Sequence, residues 1–131
     1  MSARILVVED NAANMELMRY LLQSFGHRVM TAEDGESGVA IAEEHAPDLV
    51  LCDVYLPKLD GFGVVMLLKR SSVTRAVPVI AVTAQAMVGD RDRLLLAGFD
   101  GYLCKPIEAE EFVIQVEAFL PVALRSGGIQ H

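Results

Sequence analysis

Four apolar runs in this chain end in polar residues of a different chemical kind. ILVV runs into Glu9 and Asp10, LVLC into Asp53, VIAV into Thr83, and GYLC into Lys105 and Pro106. A carboxylate among apolar residues is costly when buried and unpaired. Three carboxylates crowded together also repel one another. A divalent cation relieves that repulsion, and hard oxygen ligands with room for water suit magnesium. With a lysine and a hydroxyl opposite, such a cluster is suited to phosphoryl transfer. Asp53 is then the nucleophile, while the metal, Lys105 and Thr83 hold the phosphoryl oxygens.

That chemistry requires a fold that gathers the five positions. Apolar, β-rich runs predict strands over Arg4–Val8, Arg28–Ala32, Asp48–Cys52, Val77–Thr83 and Gly101–Cys104. The intervening segments read as helices. Met18, Leu21, Leu22 and Phe25 make one helical stripe, stopped by Gly26. Asp34 can cap a helix carrying Val39 and Ala42, and Asp60 one carrying Val64, Leu67 and Leu68. Gln85 to Ala97 reads as a weakly patterned helix before Gly98. Phe112, Val116, Phe119 and Leu120 form a last stripe, after an acidic first turn that suits the helix dipole. Strand and helix alternate five times, which implies a parallel α/β sheet, doubly wound with helices on both faces. Ligands of such sheets bind beyond the carboxyl ends of the strands. Four of the five strands deliver their polar residues to that one rim. The domain is expected over residues 1–121, with residues 122–131 a frayed tail.

Composition narrows the class. A chain of 131 residues fits one domain, and 53% hydrophobic content suffices for a core without staples. The formal net charge of -7 argues against nucleic-acid binding by phosphate neutralisation. No apolar run approaches a membrane span, and the N-terminus meets acidic residues too early for a secretory signal, so a cytoplasmic protein is expected. Cys52 and Cys104 fit no zinc spacing and are expected as buried, reduced thiols. His27, His45 and His131 fall in loops or the tail, away from the rim. A phosphoryl group would therefore come from a partner or a small phosphodonor.

The motifs resemble the receiver domain of two-component response regulators, over residues 4–120. ILVVEDNAANMELM is similar to the acidic-pair strand and first helix of that family. PDLVLCDVYLPKLDGF resembles the phosphoacceptor strand and loop, VPVIAVTA the switch-threonine strand, and GYLCKPI the lysine–proline turn. The stretch TAQAMVGDRDRLLLAGFDGYLCKPI is particularly similar to DivK-type single-domain regulators and to receivers attached to hybrid histidine kinases. The resemblance implies a flavodoxin-like sheet of order 2-1-3-4-5. It implies Asp53 as phosphoacceptor, Asp10 as a direct magnesium ligand, Glu9 as a direct or water-mediated one, and the main-chain carbonyl of Tyr55 as a third. Thr83 and Lys105 would bind the phosphoryl group, Tyr102 would be the switch aromatic, and Lys105–Pro106 would be cis. Asn14 fits the family's DNxxN pattern, with a local capping role. Tyr55 and Gln85 sit where the family varies its dephosphorylation rate. The implied partners are a histidine kinase or histidine phosphotransfer protein, and a downstream target on the face of helix 4, strand 5 and helix 5. With strand 4 between them, Cys52 and Cys104 would lie roughly 9–10 Å apart, beyond the reach of a disulfide.

Two other readings frame the expectation. An aspartyl-nucleophile phosphatase would carry a second Asp two residues after the first; here that residue is Tyr55, and the motif follows the third strand, not the first. The chain can also be a receiver excised from a hybrid kinase or a longer output protein.

Overall fold

The computed structural model describes residues 2–84 and 90–126. Its strands are β1 (Arg4–Val8), β2 (Arg28–Ala32), β3 (Leu49–Asp53), β4 (Val79–Thr83) and β5 (Gly101–Cys104). Between and after them run α1 (Ala12–Ser24), α2 (Gly35–His45), α3 (Gly61–Arg70), α4 (Asp90–Ala97) and α5 (Ala109–Glu117), with a short 3-10 turn at Val122–Leu124. All pairings are parallel, in the order β2-β1-β3-β4-β5. This is the expected flavodoxin-like order.

Side chains alternate between the faces of each strand, so the sheet divides the core in two. Ile5, Val7, Leu49, Leu51, Ile80 and Val82 face α1 and α5, where Met18, Leu22, Phe112 and Val116 cover them. Leu6, Val8, Val50, Cys52, Val79 and Ala81 face α2, α3 and α4, beneath Ala42, Val64, Leu68 and Leu94. Every residue of β3 and β4 is buried, as strands covered on both faces must be. At roughly 25 cal/mol per Å² of apolar area removed from water, each fully buried Leu or Val contributes about 1.5–3 kcal/mol.

Helix starts follow the sequence reading at two places. Asp34 accepts from the Ser37 N–H at 2.8 Å, and Asp60 from the Gly63 N–H at 3.0 Å. At α1 the cap is Asn11, whose side chain accepts from the Asn14 N–H at 2.9 Å. Asn14 thus supplies the backbone donor of this cap and not the capping side chain. The last helix ends at Glu117, so Phe119 and Leu120 of its predicted stripe lie just beyond it. The first residues expected for helix 4, Gln85 to Gly89, lie outside the described residues.

The amino ends of the strands hold a buried polar network that the sequence did not announce. The Ala3 N–H donates to His27 Nδ1 at 3.0 Å, which leaves the ring proton on Nε2. That nitrogen faces Glu117 Oε2 at 2.5 Å. Glu117 also accepts from the Ser126 N–H at 2.9 Å and its hydroxyl at 3.2 Å. Residues 122–126, expected as the start of a frayed tail, are therefore tied to α5; residues 127–131 lie outside the described residues. Cys52 is buried as expected, but Cys104 is exposed. Cys104 is the last residue of β5, an edge strand, so no further strand covers it. Both are free thiols.

Candidate functional site

The carboxyl ends of β1, β3, β4 and β5 converge on one rim. The Glu9 N–H continues the pairing of β1 by donating to Ala32 O at 3.0 Å. Its side chain is consequently drawn inward and buried, while Asp10 one residue on is exposed. Asp53 is the last residue of β3 and lies opposite Val82 of β4. Lys105 follows β5, where its N–H donates to Thr83 O at 2.8 Å, and the Lys105–Pro106 peptide is cis.

Glu9, Asp10 and Asp53 each offer a carboxylate oxygen, and these atoms lie within 4.8 Å of one another. Lys105 Nζ stands 3.2 Å from Asp53 Oδ2 and 2.9 Å from Glu9 Oε1. The second contact is an ion pair without hydrogen-bond alignment, since Glu9 Oε1 is buried and has no hydrogen-bond partner. The other oxygen of Glu9 accepts from the Asn11 N–H at 3.2 Å, and Asp53 Oδ1 accepts from the Tyr55 N–H at 3.2 Å. Burial pushes the Glu9 carboxyl above its ordinary value; the Lys105 ammonium draws it back and Asp53 raises it further. Burial works to lower the Lys105 ammonium, but Glu9 and Asp53 together hold it above its ordinary value. One cation is thus shared by carboxylates that outnumber it. Glu9 and Asp10 of the cluster border a hollow of about 250 Å³ between α1 and the end of β2.

The loop after β3 is shaped by close approach. The Gly61 N–H donates to Val54 O at 2.8 Å, and a Cβ on Gly61 would stand 2.6 Å from Asp53 O. Only glycine permits that approach. The sequence signal was available: a glycine in the first turn of an apolar helix is a poor helix former without some such reason.

All the predicted rim residues fall at this end of the sheet. Thr83 is buried at the end of β4 and Tyr102 is half-buried on β5. Ala81 pairs with Tyr102 and Thr83 with Cys104, so Thr83 and Tyr102 share one face of the sheet. Tyr55 is exposed beside Asp53. Gln85 lies outside the described residues. His27 and His45 lie at the opposite end, beside the starts of β2 and β1, and His131 lies outside the described residues.

Fold and rim together describe a class of α/β signalling module, and comparison with known proteins makes that class specific. The chain matches the response regulator receiver domain over residues 5–117 and belongs to that family. The polar-differentiation response regulator DivK of Brucella ovis is 38% identical over 120 residues, spanning 92% of this chain and 98% of the relative. A similar solved structure is the receiver domain of sensor histidine kinase PA1611 from Pseudomonas aeruginosa PAO1, with magnesium coordinated in its active-site cleft. It is 37% identical with a TM-score of 0.83, over 91% of this chain and 98% of that one. The chemotaxis response regulator CheY4 of Vibrio cholerae superposes with a TM-score of 0.87 at 26% identity, over 92% of this chain and 100% of that one. The chain is thus a signalling domain of the two-component type. No helix among the described residues is long and apolar enough to cross a membrane.

Proposed function

We propose that Asp53 accepts a phosphoryl group from a phosphohistidine on a kinase or phosphotransfer protein, or from a small acyl phosphate, in a magnesium-dependent reaction in the cytoplasm. The observation that carries this reading is the placement of the Asp53 carboxylate, backed by Lys105 at 3.2 Å and flanked by Glu9 and Asp10. The crowding of three carboxylates around one ammonium and the all-oxygen donor set fit a hard divalent cation. Glu9, Asp10, Asp53 and the Tyr55 main-chain carbonyl would hold it. Bound there, the metal supplies charge neutralisation for the phosphoryl oxygens.

The protein groups have separate tasks. An Asp53 carboxylate oxygen forms the new bond to phosphorus while the bond to the donor nitrogen or oxygen breaks, the donor atom keeping the electron pair. Lys105 turns from its carboxylate partners toward the incoming phosphoryl oxygens, and the Thr83 hydroxyl donates to another. Movement of Thr83 toward the phosphoryl group opens space beside β4 into which the Tyr102 ring can turn. The face of α4, β5 and α5 then differs between the two states and binds a downstream protein.

Incubation with magnesium and acetyl phosphate, followed by intact-mass measurement, tests the chemistry. Wild type is expected to gain one phosphoryl group and Asp53→Asn none; equal gain by both would sink the assignment. Thr83→Ala is expected to accept phosphate with no accompanying change in Tyr102 fluorescence. A full wild-type change in that variant would remove Thr83 from the switch.

A further inference from the structure

The α3-facing side of α4 carries a contact with the first turn of α3, where the phosphoacceptor loop ends, that the Thr83–Tyr102 route does not use. Gly61 is fixed against Val54 and the Asp53 carbonyl, so the next residue, Phe62, is held at a set place relative to the Asp53 backbone. The Phe62 ring meets Phe99 edge-on, with centroids 6.1 Å apart and planes at 75°. The guanidinium carbon of Arg93 lies 5.2 Å from the centroid of the same Phe62 ring. Phe99 is itself anchored. It is buried, and its N–H donates to Leu94 O at 3.2 Å across Gly98, whose φ of +115° closes α4.

The rest of α4 is lightly held. Leu94 is its one buried residue, whereas Leu95 and Leu96 are 42% and 88% exposed. A helix with one buried leucine and an exposed outer face changes position at low cost. The contact that fastens it ends on the first turn of α3, whose Gly61 N–H donates to the carbonyl of Val54, the residue after Asp53.

We infer that Phe62 and Arg93 form a clasp coupling α4 to the phosphoacceptor loop, which makes Arg93 a positioning residue for phosphoryl transfer. The inference rests on the reading of Asp53 as phosphoacceptor. In the clasped state Phe62 holds the loop and α4 in one arrangement. A loop rearranged around a phosphorylated Asp53 draws Phe62 with it and loosens Arg93. Linkage is reciprocal, so opening the clasp from the α4 side favours the rearranged loop. An exposed cation–ring contact shifts such an equilibrium by roughly two- to fivefold.

Amide hydrogen exchange and the rate of labelling by acetyl phosphate with magnesium, measured on wild type, Arg93→Ala, Arg93→Lys and Leu96→Ala, test the clasp. Arg93→Ala is expected to speed exchange in both residues 54–62 and residues 90–97, leave β1 and α1 unchanged, and speed labelling, each change roughly two- to fivefold. Arg93→Lys keeps a cation over the ring and returns both readouts toward wild type. Leu96→Ala, on the exposed side of α4, changes neither. Faster exchange confined to α4, with the loop and the labelling rate unmoved, overturns the coupling, as does an Arg93→Lys that labels like Arg93→Ala. A wild type that takes no label brings down the phosphoacceptor reading, while the paired exchange of the two segments still decides the clasp.

Discussion

At the carboxyl ends of the strands Lys105 is divided between Glu9 and Asp53, with Asp10 alongside and one oxygen of Glu9 lacking a hydrogen-bond partner. At the amino ends His27 and Glu117 meet at 2.5 Å, and both ring nitrogens and both carboxylate oxygens are engaged. Acid and base occur at both poles of one small sheet. The lower pair has its ring nitrogens and carboxylate oxygens satisfied from within the chain and so stabilises the fold. The upper pole leaves negative charge in excess, a state that improves when a cation or a phosphoryl group with its cation arrives. Unsatisfied buried polar groups in native proteins commonly mark such sites.

Removing the lower acid is the sharpest way to break the contrast. Glu117→Ala deletes a carboxylate that accepts from His27 and twice from Ser126. Hydrogen bonds to charged groups contribute about 1.5–3 kcal/mol each where buried, and the partners left behind add a desolvation cost. A loss of about 2–3 kcal/mol is expected, read by urea unfolding, with the acetyl phosphate labelling level unchanged. An unfolding midpoint equal to wild type would show that the network contributes nothing to the fold.

The same group sets a pH dependence. Burial opposes ionisation of Glu117, but His27 and Ser126 outweigh it and hold the carboxyl below its ordinary value of 4.5. A depressed carboxyl contributes stability that is complete above the unfolded value and lost as pH falls through the folded one. Wild type is therefore expected to lose stability relative to Glu117→Gln below about pH 4.5. A constant difference between the two from pH 7 to pH 3 would contradict the assignment.

The two poles were not equally legible in the sequence. Each upper residue stands at the end of an apolar run, so a local pattern locates it and the alternation of strand and helix brings the runs together. β1, β2 and β5 begin and end where their apolar runs do. β4 starts two residues late: Pro78 accepts from the Val50 N–H at 2.9 Å but has no N–H of its own, and the Val79 N–H is taken by the Asp100 carboxylate. The lower pair offered no such signal. His27 and Glu117 are 90 positions apart, one in a loop and the other at the end of an amphipathic helix, and only the folded sheet sets them face to face. Exposure of Cys104 was hidden for a related reason. The strand order put β5 at the edge, but whether a helix covers the end of an edge strand is decided by packing: Ala32, at the end of the other edge strand β2, is buried while Cys104 is not.

A smaller effect sharpens the upper half of the comparison. Asp10 is the exposed member of the carboxylate cluster and makes it more negative. Cation affinity at oxygen sites follows ligand charge. Asp10→Ala is expected to weaken magnesium binding by roughly tenfold, about 1.4 kcal/mol, as read by titration calorimetry. Unchanged affinity would remove Asp10 from the site.

The smallest expected effect is also the most discriminating, because its sign is opposite at the two poles. Asp53→Asn keeps an oxygen for the Tyr55 N–H but removes one of the carboxylates competing for Lys105, which retains Glu9 at 2.9 Å. Glu9 and Asp10, each within 4.8 Å of Asp53, each repel it by roughly 0.9 kcal/mol in the bulk-water limit and by more where burial lowers the dielectric. Relief of that repulsion is partly offset by the lost attraction between Asp53 and Lys105. A gain of about 0.5 kcal/mol is therefore expected in the absence of magnesium. Raising the salt concentration screens the repulsion and shrinks the gain. Saturating magnesium should reverse the ranking, since wild type then gains binding energy that the amide cannot match. Urea unfolding of wild type and Asp53→Asn, with and without magnesium, reads the crossing directly. If Asp53→Asn is less stable than wild type without metal, Lys105 already balances the upper pole, and excess negative charge is not what prepares it for a ligand.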